Sequence, residues 1–179
     1  VNASGPAAAL LVNVEDVEDD DLAVLQAKEA TAGSFRSLSS NSIAKPVKPT
    51  SYDMINGTSG SYNYWDESYN GDGSPLQNSS SLSGGLGDLT DGVIATDNWH
   101  VVEAPAGPGP YVGWVTNPSI DFNFERSIHL DALKIYVDDP NGHGGVGVPA
   151  SITLTSTSGS FSSGTLSDPS SSEPTSYLF

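Results

Sequence analysis

Cysteine is absent from the 179 residues, and Lys and Arg together number six against 22 Asp and Glu. The first absence removes any disulfide framework, thiolate zinc cluster or thiol nucleophile. The second removes the clustered cations that a phosphate backbone requires, so nucleic acid is set aside as a partner. Long apolar runs are missing too. Ala7–Val12 falls far short of the roughly 18 residues that span a bilayer, and no basic stretch precedes it to make an intact signal peptide. No membrane span is expected. The Ala, Leu, Glu and Lys mixture of helical bundles is thin, and Gly, Ser, Thr, Asn and Pro take its place. A Cys-free chain of this kind, with a net charge of −16, fits a secreted or cell-surface protein or a part of a virion. Val1 stands where Met would begin a fresh translation product, which is consistent with a processed or truncated N-terminus. The length suits one domain with an appendage.

The character of the chain changes near residue 50. Residues 1–50 hold one aromatic, Phe35, and no alternating pattern. An acidic block from Glu15 to Asp21 precedes Leu22–Ala30 and then Gly33, the polarity that a helix dipole favours. A short helix over about Asp19 to Ala32 is predicted, followed by a Ser-rich and Lys-Pro linker. This acidic arm is either a solvated leader or a segment that folds against a neighbouring subunit. Residues 51–179 read as β structure. Ile120, Phe122 and Phe124 alternate with Asp121, Asn123 and Glu125, the period of a half-buried strand. Ile128, Leu130, Leu133, Ile135 and Val137 continue the alternation to a turn at Asp138–Gly142, and Ile152 with Leu154 starts another strand. Phe161 and Leu166 suggest one more short pair. Gly71–Gly87 reads as a long loop and Ala104–Pro110 as a proline-stiffened one. Short strands, long Gly/Pro loops and little helix predict an all-β fold, an antiparallel jelly-roll sandwich.

Three patterns carry chemistry. Tyr62, Tyr64, Trp65 and Tyr69 are rings interleaved with Asn, Asp and Glu, which suits stacking on sugar faces while polar neighbours take hydroxyls; the competing use of such rings is core filling. Asp88, Asp91 and Asp97 lie within ten residues on a glycine-kinked stretch. Carboxylates with backbone carbonyls can ligate calcium there, or the same side chains can cap turns. Asn141 and His143 sit in a third loop, Asp138–Gly144, whose alternating oxygens faintly resemble the start of an EF-hand; Ala150 stands where the closing Glu would be, which favours a plain turn. No nucleophile elbow, phosphate loop or His-Glu-x-x-His is present, and no Ser has an evident His/Asp pair. Asp66 and Glu67, adjacent on the chain, point to opposite faces of a strand, so a shared glycosidase cleft is not expected. The chain reads as a non-enzyme. Three Asn-x-Ser/Thr matches, at Asn2, Asn56 and Asn78, arise easily in so Asn- and Ser-rich a sequence.

Leu89–Trp99, Tyr111–Trp114, Ile120–Phe124 and Ile128–Val137 together resemble the discoidin, or coagulation factor 5/8 type C, family of galactose-binding-like sandwiches found in bacterial secreted proteins. The resemblance covers roughly residues 51–179. It implies a jelly roll with a structural calcium beside the Asp-Gly loop, Asp91 as its best ligand, and core roles for Trp99 and Trp114. Such domains close with a further pair of strands, and the chain stops at Phe179. Those strands are therefore expected to be missing or supplied by another chain, leaving an exposed edge. Two functions follow. One is a binding or adhesion module that recognises glycan, a surface polysaccharide or another surface. The other is a structural subunit, a phage decoration or tail protein or a filament subunit, that self-associates through residues 1–50 and the open edge.

Overall fold

The computed structural model describes residues 7–12, 47–103, 109–130, 132–138, 141, 143–169 and 173–179. The helix expected over Asp19 to Ala32 lies outside them. Among the described residues the elements are β1 (Ala7–Val12), β2 (Ser51–Ile55), β3 (Ser81–Gly85), a four-residue helix α1 (Trp99–Val102), β4 (Gly113–Trp114), β5 (Ile120–Asn123) and β6 (Lys134–Val137). A 3-10 turn at His143–Gly145 leads to β7 (Thr153–Ser156), β8 (Gly159–Ser162) and β9 (Thr175–Leu178). Every strand pairing among the described residues is antiparallel, and the fold is the all-β sandwich that the alternation predicted.

One sheet has the order β3-β2-β5, a second β4-β1-β6-β9, and β7-β8 form a separate hairpin. The period-two pattern explains the first sheet directly. Tyr52 and Met54 of β2 are buried, and opposite them Phe122 and Ile120 of β5 turn inward while Asp121 and Asn123 face solvent. Tyr52, Met54, Tyr69, Leu82, Leu89, Val112 and Trp114 make one core cluster. Ile135 and Val137 of β6, with Leu133, make another, backed by Ile152, Leu154, Tyr177 and Phe179. Phe122 of the first sheet packs against both clusters, and Trp114 of β4 in the second sheet packs into the first cluster, so both side chains join the layers.

Three elements differ from the sequence expectations. Ala7–Val12 is a strand between β4 and β6, although its sequence shows no alternation. Six consecutive apolar residues carry no period-two signal, so the local pattern does not mark this strand. Part of the stretch expected as loop, Gly71–Gly87, is strand β3, with Leu82 buried and Ser81 and Ser83 exposed. Its glycines serve close approach: a Cβ on Gly85 would overlap the backbone of Gly71, beside the Asp72–Ser83 bridge. The alternation from Ile128 becomes strand only at Lys134, and Leu166 stays outside any strand. At the other end, β9 lies along β6, pairing Thr175 with Val137 and Leu178 with Lys134.

Candidate functional site

The loop that follows β2 is organised by two buried polar side chains. Asn56 is fully buried; its Oδ1 accepts the Gly57 and Asp66 N–H groups, each at 2.8 Å, and its Nδ2 donates to the Pro75 carbonyl at 2.8 Å. Asn56 is therefore closed to glycosylation in the folded chain. Asp66 is equally buried. Its Oδ1 accepts the Asp88 N–H at 2.8 Å, and the Tyr52 hydroxyl donates to its Oδ2. Burial pushes this carboxyl up to about 6, against the lowering effect of the Tyr52 and Asp88 hydrogen bonds. Asp66 is thus a structural knot joining β2, the aromatic loop and the Asp-Gly loop. Glu67 beside it stays half-buried.

The aromatic loop separates into core and rim. Tyr64 and Tyr69 are 6% and 5% exposed, so both rings belong to the interior. The Tyr69 hydroxyl accepts the Gly85 N–H at 2.8 Å and donates to the Tyr52 carbonyl, which knits β2 to β3. Trp65 is half-buried, and its indole N–H donates to Asn78 Oδ1 at 2.6 Å. Tyr62 is half-buried as well, its ring edge-on to Trp99 at 4.8 Å between centroids. Of the four rings nominated as ligand contacts, Tyr62 and Trp65 keep surface and the other two do not.

Asp88, Asp91 and Asp97 turn to different tasks. Asp88 is buried; its carboxylate accepts the Glu67 N–H at 3.1 Å and the Ser68 hydroxyl, and burial raises its pKa. Asp91 is exposed and takes the Val93 N–H at 2.7 Å, the geometry of an Asx turn. Asp97 accepts the Asn98 N–H at 2.8 Å. Among the described residues no group of three or more His, Asp or Glu side chains converges as a metal site requires. Asp88, Asp91 and Asp97 therefore do not converge as three carboxylates on one point. Asp91→Ala removes one exposed hydrogen bond, so a loss below about 1 kcal/mol is expected in chemical denaturation. The loss should be the same in calcium and in EDTA; a calcium-dependent difference would restore the metal.

Trp99 organises the remaining surface. It is 7% exposed and packs with Tyr64, Tyr111 and Val146. Its backbone N–H donates to Asp138 Oδ2 at 3.1 Å, which anchors α1 to the segment leading into the 3-10 turn. In that turn Gly144 adopts φ +66, and a Cβ there would come 2.6 Å from the indole Cζ2. The turn backbone therefore lies against the ring. His143 leaves from this turn, exposed, with its imidazole 5.8 Å from the indole centroid. His100, also exposed, stands 5.6 Å from the same indole. Asn141 is exposed, in the left-handed region at φ 53. Two loops nominated separately, around Tyr62 and around His143, meet on Trp99. His100 was missed because nothing in its neighbourhood marks it; only the packing of α1 brings it to this patch.

Glu103 was missed as well. It caps α1 and is 2% exposed; its Oε1 accepts the Tyr111 N–H at 2.8 Å. Its Oε2 is buried with no hydrogen-bond partner among the described residues. Desolvation pushes its carboxyl up to about 8, with the charges of Asp88, Glu67 and Asp138 adding to the rise and the Tyr111 N–H opposing it.

Residues 49–163 match the family model described as discoidin domain-containing receptor 1/2, DS-like domain. No curated protein and no solved structure matches the chain. The match spans β2 through β8 and includes the whole ring cluster around Trp99. No helix among the described residues is long and apolar enough to cross a membrane.

Proposed function

The chain belongs to the discoidin domain-containing receptor 1/2 DS-like family, and from that membership we propose a non-catalytic extracellular module that binds glycan through the surface around Trp99. The observation that carries the reading is the convergence of Tyr62 and His143, from two distant segments, on the indole of Trp99 beside its neighbour His100. Edge-on and tilted rings leave apolar faces, and imidazole nitrogens with the exposed Asn141 amide add hydrogen-bonding groups at the rim. A neutral, hydroxyl-rich ligand suits that combination, since it offers apolar ring faces and many polar edges. The cluster is also held rigid by the Trp99–Asp138 bond and the Gly144 contact, which lowers the ordering cost of binding.

Tyr62→Ala is expected to weaken binding to any glycan found on a broad array by about tenfold or more, as truncation of an aromatic anchor does. His143→Ala should weaken it by a smaller factor, and Trp65→Ala should leave it unchanged. Silence of the wild-type chain across the array would end the glycan reading. A second reading, an assembly subunit joined through residues 1–50, has less support, because Ala7–Val12 pairs on both sides within its own chain. A sedimentation measurement giving an oligomer that is lost on deleting residues 1–48 would reverse that order.

A further inference from the structure

His100 and His143 belong to segments far apart in sequence, yet their imidazole centroids lie 4.7 Å apart with planes inclined at 36°. Both side chains are exposed. Their approach is built rather than incidental. Trp99 donates its backbone N–H to Asp138, tying α1 to the strand end that feeds the turn, and Gly144 lays the turn against the indole. The Trp99 carbonyl in turn accepts the Glu103 N–H at 2.7 Å, which closes α1 behind His100. Each imidazole therefore leaves from a backbone held in place.

We propose that His100 and His143 form a surface site for one divalent transition-metal ion, copper(II) or zinc(II), with water completing the coordination. Metal–nitrogen bonds of about 2.0–2.1 Å let one ion join two ring nitrogens separated by up to about 4.2 Å, a span that rings at this spacing can reach by small rotations. Imidazole selects such ions over calcium and magnesium, which prefer oxygen, and among them copper(II) binds most tightly. The net charge of −16 raises the local concentration of any cation near the surface. The site is independent of the glycan reading, since it rests on the two imidazoles alone.

The test is calorimetric titration of the full chain with copper(II) and with zinc(II), with tryptophan emission followed in parallel. One ion per chain is expected, with copper(II) quenching the emission because Trp99 touches both rings. H100A and H143A should each weaken binding by about tenfold or more, since each leaves a single imidazole. H129A, which alters the third histidine at a separate place, should change nothing. Melting of the metal-free variants beside wild type shows that folding is retained. Equal affinity in the H100A/H143A double variant, or no saturable binding in wild type, would overturn the site. Glycan arrays run in EDTA keep the two questions apart, because either result can fail while the other stands.

Discussion

Asp66→Ala is expected to lower the unfolding free energy by about 3–5 kcal/mol, the range for breaking a buried polar network by removing one partner. Asp66 has no exposed surface and serves two donors at once, the Tyr52 hydroxyl and the Asp88 N–H. Alanine would leave both donors buried without an acceptor, each costing about 1–3 kcal/mol, and would open space where the carboxylate stood. Asp66→Asn keeps the volume and one acceptor, and the Tyr52 hydroxyl can turn to accept from its amide; about 1–2 kcal/mol is expected. Urea midpoints with an unchanged m-value would measure both. If Asp66→Ala unfolds within 1 kcal/mol of wild type, the knot is not what joins β2 to the two loops.

The second large effect is a loss of stability as pH rises. Glu103 in an unfolded chain ionises near 4.5, whereas in the folded chain burial holds its proton up to about 8. Between those values the folded state carries a proton that the unfolded state has released. Stability therefore falls with pH across that window, by about 1.4 kcal/mol per unit for one such group. Asp66 acts with the same sign over a lower window, from its ordinary 3.8 to about 6. Over pH 5 to 8 the Glu103 contribution comes to about 4 kcal/mol lost. General charge repulsion in so acidic a chain points the same way, so the variant rather than the raw profile isolates the cause. Glu103→Gln keeps the acceptor for Tyr111 and removes the titration. It should match wild type at pH 5 and exceed it by that same amount, about 4 kcal/mol, at pH 8, read from thermal or urea unfolding at each pH. A constant difference between the two proteins across the range would show that Glu103 does not titrate between the states.

Both predictions concern carboxyls whose roles differ from what their neighbourhoods in sequence suggest. Asp66 sits among aromatics, which draws attention to ligands, yet its partners Tyr52 and Asp88 lie in other elements. Glu103 precedes a proline-rich loop and has no motif around it; its burial arises when Tyr111 returns across that loop. Asp88, Asp91 and Asp97 show the converse. Closeness along the chain suggested one site, and the loop turned the three carboxylates to separate N–H groups. Short polar side chains near glycine satisfy local backbone donors first, and sequence spacing does not record which donor each one finds.

Alternation alone determined that this is a strand protein, and it marked Ile120, Phe122, Ile135 and Val137 as inward-facing. Period two is a local consequence of backbone geometry and survives in any half-buried strand. The motif from Leu89 to Val137 carried the family resemblance, and the core positions of Trp99 and Trp114 followed from it. Tertiary structure alone decided that Ala7–Val12 lies inside a sheet, that Tyr64 and Tyr69 are interior, and that Tyr62, His100 and His143 share the indole of Trp99. Apart from the contact of Trp99 with its neighbour His100, each of those outcomes depends on contacts between segments distant in the chain. Their energies are set by which faces remain to be covered once the sheets have formed, and no single stretch of sequence contains that information.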